Sequence, residues 1–249
     1  MASCELTHLA RVPIDVDLAR VQHRAYEAAL SDAGYHVERV VESPGAGADM
    51  PDRVFVEDIA IVFDELAIVT RPGAEPRRVE VPAVAGVLGR YRPLEFIDAP
   101  GTVDGGDVLV AGCRVFVGRS SRTNEAGILQ MRRILDPLGY RVCDLTVGGC
   151  LHLKSAVTSL ADDLLLVNPR WVDTSSFAGF ACVEVHPLEP SAANALRLDD
   201  RVIFPASFPR TADRLAARGL RVLTVDASEV AKAEGAVTCC SLIVRGAGL

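Results

Sequence analysis

Apolar residues recur along the chain at two periods, and the switches between them predict its elements. Leu18, Val21, Ala29 and Leu30 are among the apolar positions of one segment. With Asp17 as N-cap and Gly34 as stop, they predict a helix to about Ala33. Apolar stretches on either side, Cys4 to Arg11 and His36 to Val41, predict strands. The run Ser43 to Asp52, rich in Gly, Pro and acids, predicts an exposed and mobile loop.

A repeated unit follows. Val54 to Phe63 turns at Asp64-Glu65 into Leu66 to Thr70, a predicted hairpin with a helix behind it near Val79 to Arg90. Gly105 to Val110 turns at Ala111 to Arg114 and returns through Val115 to Gly118. A helix from about Thr123, closed by Gly139, and a strand Tyr140 to Leu145 come next. Ser155 to Pro169 and Asn194 to Pro205 repeat the hairpin, the second with a helix Thr211 to Arg218. Cys240 to Val244 opens a fifth unit. A spacing of roughly 40 to 50 residues signals a repeat architecture, but helices within the units exclude an all-β blade. The pattern predicts an α/β ring of about five strand-strand-helix-strand modules, with both chain ends in one of them. A doubly wound sheet is the alternative, and hairpins followed directly by helices do not make simple βαβ units.

Composition narrows the partners. The 249 residues are 49 % hydrophobic and 24 % charged, the balance of a globular protein. A net charge of −7 argues against a nucleic-acid or anionic-membrane surface. No apolar run is long enough to span a membrane, and Met1 to Glu5 has no signal-peptide pattern. Seven scattered cysteines suit reduced thiols and a cytosolic location better than a disulfide framework.

Three groups of residues can carry chemistry. Cys239 and Cys240 are adjacent, a spacing that suits neither a relaxed internal disulfide nor a C-x-x-C motif. They read either as the start of a buried strand or as a nucleophile with its neighbour. His152 is flanked by leucines at a hairpin opening, which fits a half-buried structural histidine or a general acid/base. Asp104 and Asp107 bracket Gly105-Gly106, and Glu57 and Asp58 stand inside an apolar run. A turn pair that caps its own backbone explains Asp104 and Asp107 as well as an orienting carboxylate does.

Six segments occur in one order: Phe55-Val56-Glu57-Asp58, Thr70-Arg71-Pro72-Gly73, Asp104 to Leu109, Ser121-Arg122-Thr123-Asn124, Leu151 to Ser155, and Thr238-Cys239-Cys240-Ser241. Together they resemble the dimethylarginine dimethylaminohydrolase family of the guanidine-modifying (amidinotransferase) superfamily. The resemblance implies a five-bladed α/β propeller, the pentein fold, with residues 1–249 as a single catalytic domain. It implies hydrolysis of Nω-methylated arginine to citrulline and a methylamine through a covalent Cys-thiouronium intermediate. Cys239 is then the nucleophile, His152 the general acid/base and Asp104 its orienting carboxylate. Asp52, Glu57 and Asp58 bind the guanidinium, Arg77 and Arg122 hold the substrate's α-carboxylate, and Ala233 meets the amino-acid end through its backbone. No cofactor or metal is implied. The partner is a small guanidine compound, without nucleic acid or membrane, and the protein is a monomer or homodimer. Arginine deiminase and amidinotransferase are the alternative activities, and a non-catalytic binding protein of the same fold is the alternative class.

The chemistry is self-consistent. A guanidinium spreads its charge and offers N–H donors on several edges, so carboxylates can hold its carbon towards a thiolate in charge-assisted pairs. The bound cation also favours ionisation of the cysteine.

Overall fold

The computed structural model describes residues 1, 3–41 and 50–246. Most of the loop expected at Ser43 to Asp52, and its mobility, therefore lie outside the described residues. By packing, the chain divides into two compact units, one of Met1–Glu38 with Thr146–Thr238 and one of Arg39–Leu145 with Cys239–Leu249. No helix among the described residues is long and apolar enough to cross a membrane.

The N-terminal helix α1 spans Val16–Asp32. Its N-cap is Asp15 rather than Asp17, because the Asp15 carboxylate accepts the N–H groups of Asp17 and Leu18. Gly34 ends it with φ +94°, as expected of a left-handed stop. The strand expected at Cys4 to Arg11 does not form. Its backbone donors go to a side chain instead: Thr7, His8 and Leu9 all donate N–H groups to the Glu234 carboxylate, at 2.9, 2.5 and 2.5 Å. His36 to Val41 is likewise not a strand.

The unit of Arg39–Leu145 holds two modules. In the first, β1 (Ala60–Val62) pairs antiparallel with β2 (Ala67–Val69), and β3 (Leu94–Phe96) runs parallel to β2. Helix α2 (Val81–Leu88) connects β2 and β3. In the second, β4 (Val108–Ala111), β5 (Arg114–Arg119) and β6 (Arg141–Thr146) form a sheet in chain order, with α3 (Glu125–Leu135) between the last two. Asn124 caps α3 by accepting the Gly127 N–H, and Gly139 follows with φ +84°. Both hairpins are shorter than their apolar runs suggest. Val56–Ile59 and Gly105–Asp107 are 3₁₀ turns that lead into β1 and β4. Between them the modules bury Ile68, Val108, Val117, Ile128, Met131 and Leu135 in one core. Each such side chain stabilises the fold by about 1.5–3 kcal/mol relative to an exposed position.

The other unit repeats the frame. A single helical turn, α4 (Leu153–Ala156), leads into β7 (Val157–Ala161), which pairs antiparallel with β8 (Leu164–Val167). The strand β9 (Ala181–Glu184) runs parallel to β8, and a 3₁₀ turn at Thr174–Phe177 takes the place of a connecting α-helix. Then β10 (Leu196–Leu198), β11 (Arg201–Pro205), α5 (Pro209–Ala216) and β12 (Arg221–Val225) complete the last sheet, with β12 parallel to β11. The short helix α6 (Ser228–Ala231) precedes the segment of Cys239 and Cys240. Leu166, Val183, Val202, Phe204 and Leu215 form this unit's core.

Four three-stranded sheets are thus seen among the described residues, each opened by an antiparallel hairpin. The fifth run, Cys240 to Val244, pairs in no strand; Leu242 and Val244 pack instead against the cluster around Ile59, Val84 and Leu88.

Candidate functional site

In the unit of Arg39–Leu145, the candidate carboxylates Glu57 and Asp58 stand on the first 3₁₀ turn, and Asp104 precedes the second. Glu57 and Asp58 are both buried on the first. The turn is held from three sides. Thr70 donates its hydroxyl to the Asp58 carbonyl at 2.6 Å and its N–H to the Ile59 carbonyl at 2.9 Å. Gly106 on the second turn donates its N–H to Asp58 Oδ1 at 3.0 Å. The turns approach so closely that a Cβ on Gly105 would lie 1.9 Å from the Glu57 carbonyl oxygen, which explains the glycine.

Asp58 is clamped by Arg77. This guanidinium donates from Nη1 to Asp58 Oδ2 at 2.5 Å and from Nη2 to Glu80 Oε2 at 2.9 Å and the Phe55 carbonyl at 2.8 Å. Nε faces Glu80 Oε1 at 3.3 Å, and the Asp52 carbonyl lies 3.4 Å from Nη2. Burial alone would lower the pKa of Arg77, but Asp58 and Glu80 outweigh it and raise it above its ordinary value. The Glu80 carboxyl is raised, chiefly by burial, with Arg77 pulling the other way. The resemblance assigns Arg77 to the substrate; the geometry adds a second task, positioning Asp58. Glu80 was not singled out in the sequence, although it stands three residues from Arg77, the spacing of neighbours on a helical surface. Asp52 is also buried.

Asp104 is 1 % exposed; its Oδ1 accepts the Gly73 N–H at 2.8 Å, and its own N–H is donated to Thr123 Oγ1 at 3.1 Å. Asp107 does different work. Its carboxylate accepts the hydroxyls of Ser120 and Thr123, at 2.5 and 2.7 Å. It organises the Ser120–Thr123 segment, where Arg122 is half-buried and donates its N–H to Ser120 Oγ at 3.0 Å. Gly73 packs on that backbone, since a Cβ there would meet the Arg122 carbonyl oxygen at 2.4 Å.

Cys239 and Cys240 occupy a turn, Val237 to Cys240, rather than a strand start. The alternation of strand faces therefore does not separate them; their surroundings do. The Cys239 carbonyl accepts the Glu57 N–H at 3.2 Å, tying the cysteine to the carboxylate turn. Cys240 keeps part of its surface exposed, yet its thiol is enclosed by protein. That burial, with Glu57 second, pushes it up to about 12 and keeps it protonated at neutral pH.

In the other unit, His152 is buried at the N-cap position of α4, where its carbonyl accepts the Ser155 N–H at 3.0 Å. The preceding turn is anchored on Trp171. Gly148 donates its N–H to the Trp171 carbonyl at 3.0 Å, and Gly149, with φ +76°, packs directly against the indole. Ala233 is buried in the turn after α6, beside Glu234 with φ +59°.

No family model matches the chain. Curated relatives do. It is 41 % identical over 242 residues to the N(G),N(G)-dimethylarginine dimethylaminohydrolase of Streptomyces coelicolor, covering 96 % of this chain and 91 % of that one. With the Pseudomonas aeruginosa enzyme of the same name it shares 37 % over 230 residues, 92 % of this chain and 89 % of the other. A crystal structure of a dimethylarginine dimethylaminohydrolase, a histidine-to-glycine variant as its adduct with S-methyl-L-thiocitrulline, superposes with a TM-score of 0.88 at 36 % identity. It covers 96 % of this chain and 92 % of that one.

Proposed function

We propose the following division of work within this chain, which belongs to the dimethylarginine dimethylaminohydrolase family. The protein is a cysteine-dependent hydrolase that converts Nω-methylated arginine to citrulline and a methylamine. Asp52, Glu57 and Asp58 take the guanidinium edges, and the Cys239 thiolate attacks the central carbon. The C–N bond to the methylamine then breaks, with His152 supplying the proton and Asp104 orienting the imidazole. Water activated by the same histidine adds to the thiouronium carbon, citrulline leaves, and the Cys239 thiolate is regenerated. Arg122 and Arg77 hold the α-carboxylate. Nη1 of Arg77 carries two N–H groups, one on Asp58, and the second is the one available to substrate. Ala233 contributes its backbone at the amino-acid end.

One observation carries this reading: the Glu57–Asp58 turn is hydrogen-bonded through its backbone to the carbonyl of Cys239. A cation bound by that turn lies beside the nucleophile, where it favours the thiolate that attacks it. We place the reaction in the cytosol. Residues 1–249 form one catalytic domain, because the motifs run in a single order from Phe55 to Ser241. A monomer or homodimer suffices for the chemistry, which takes no cofactor.

The test is a product panel. Asymmetric dimethylarginine and monomethylarginine should each give citrulline and the matching amine in equal amounts, with unmodified arginine far slower. Ammonia from arginine at comparable efficiency would assign the chain to deiminase chemistry instead.

A further inference from the structure

Asn194 has no role in the scheme above, yet three hydrogen bonds hold its side chain. Its side chain is 3 % exposed and both of its N–H donors are used. Nδ2 donates to the Lys154 carbonyl at 3.1 Å and to Thr238 Oγ1 at 3.0 Å, while Oδ1 accepts the Thr238 N–H at 3.1 Å. Lys154 lies two residues beyond His152, and Thr238 is bonded directly to Cys239. The residues beside Asn194 are fixed in turn. Thr158 Oγ1, on β7, donates to the Ala193 carbonyl at 2.8 Å and accepts the Ala195 N–H at 3.1 Å.

We propose that Asn194 is a positioning residue that fixes the turn carrying His152 against Thr238, the residue that precedes Cys239. The Asn194 amide bonds both ends at once. In the four-residue helix α4 the Val157 N–H answers the Leu153 carbonyl. The Lys154 carbonyl finds Asn194, and the Ala156 carbonyl at the end of the turn accepts the Asn168 N–H at 2.8 Å. Thr238, buried in the turn Val237 to Cys240, offers a donor and an acceptor side by side. A planar primary amide answers all three groups at once; a carboxylate, an alkyl group or a hydroxyl of that size does not. The chemistry needs this because the same imidazole must reach the leaving nitrogen in one step and the attacking water in the next. A displacement of about 1 Å in such a pair costs on the order of 10²-fold in rate.

This inference rests on the hydrolase reading, and its test separates the two. Asn194→Ala and Asn194→Asp should lower kcat on asymmetric dimethylarginine by about 10–100-fold with KM within about threefold. S-methyl-L-thiocitrulline supplies the readout that mere loss of fold would not move. It expels methanethiol, a leaving group that needs little help from an acid. Its single-turnover methanethiol burst should fall less than about fivefold in the same variants. Where the alanine variant does not fold, Thr238→Val removes one of the three bonds and should show the same split at about 3–10-fold. A kcat within about twofold of the parent overturns the proposal, as does a burst that falls in step with kcat or a defect confined to KM. A parent protein that releases no dimethylamine but gives the burst defeats the hydrolase reading alone; one inert to both compounds defeats both.

Discussion

The strands β1 and β4 are preceded by 3₁₀ turns that bury acids, Glu57 with Asp58 in the first, and Asp107 in the second with Asp104 just before it. The strands β7 and β10 are preceded by segments whose buried polar side chains are His152 and Asn194. All four positions open the same antiparallel hairpin. The frame is thus held constant while the charge on its opening turns changes. Acids suit the binding of a delocalised cation; an imidazole and an amide suit proton transfer and the fixing of backbone. In the proposed scheme one repeated module carries two kinds of chemistry, because the core is built from the strands and the turns are left free to vary.

That contrast predicts different kinetic signatures for the two kinds of turn. The largest effect belongs to the imidazole. His152→Asn should lower kcat on asymmetric dimethylarginine by roughly 10²–10⁴-fold while KM moves little, since proton transfer is a transition-state interaction. Steady-state kinetics decide it, and a change confined to KM would erase the distinction. Asp58→Asn comes next and should damage binding and stability together. It weakens the guanidinium site and leaves the buried Arg77 short of a charged partner, a loss of about 3–5 kcal/mol for a broken buried pair. Urea unfolding and KM should both register it. Because Arg77 also answers Glu80, a value at the lower end is expected.

Arg122→Gln should raise KM by about 10–100-fold with kcat nearly unchanged, because the α-carboxylate is held equally in ground and transition states. The smallest effect concerns Cys240. Its thiol keeps its proton in the folded protein well above the ordinary value of 9.0, whereas the unfolded chain releases it near that value. The stabilisation is therefore complete below about pH 9 and is lost as pH rises from 9 towards 12, at up to about 1.4 kcal/mol per pH unit. Tyr140, pushed up to about 12 by burial and then by Glu65, slopes the same way. Cys240→Ala should leave activity near the parent's and reduce the steepness of that alkaline loss, as read by denaturant titration between pH 8 and 11.

The repeat itself was legible in the sequence, because β-branched runs, turn pairs such as Asp199-Asp200 and the helical face of α3 are local signals. What failed did so where a side chain or a neighbouring turn overrode local preference. Glu57 and Asp58 sit in an apolar run that reads as strand. Yet the close approach of Gly105 and the claims of Thr70, Gly106 and Arg77 on Asp58 coil it into a 3₁₀ turn. Thr7 to Leu9 read as strand but give their N–H groups to Glu234, more than two hundred residues away. The cysteine pair reads as a strand start because Leu242-Ile243-Val244 follows it, and only the packed structure shows a turn. Of the proposed site, Glu57, Asp58, Asp104, Arg122, His152 and Cys239 stood in motifs of the sequence, whereas Asp52 and Arg77 rested on loop spacing. Glu80 and the three-way bond of Asn194 were not legible there, because each is defined by a partner brought close through the fold.

The account turns on Cys239 as the sulfur that attacks the guanidine-type carbon, with His152 serving steps on either side of the adduct. S-methyl-L-thiocitrulline with the His152→Gly variant isolates that point, since its departing methanethiol needs little protonation while breakdown of the adduct needs the missing base. Peptide mapping with fragmentation between the two cysteines should find one equivalent of covalent adduct on Cys239, with one equivalent of methanethiol released. Adduct on Cys240, or methanethiol released with none on Cys239, would contradict the account.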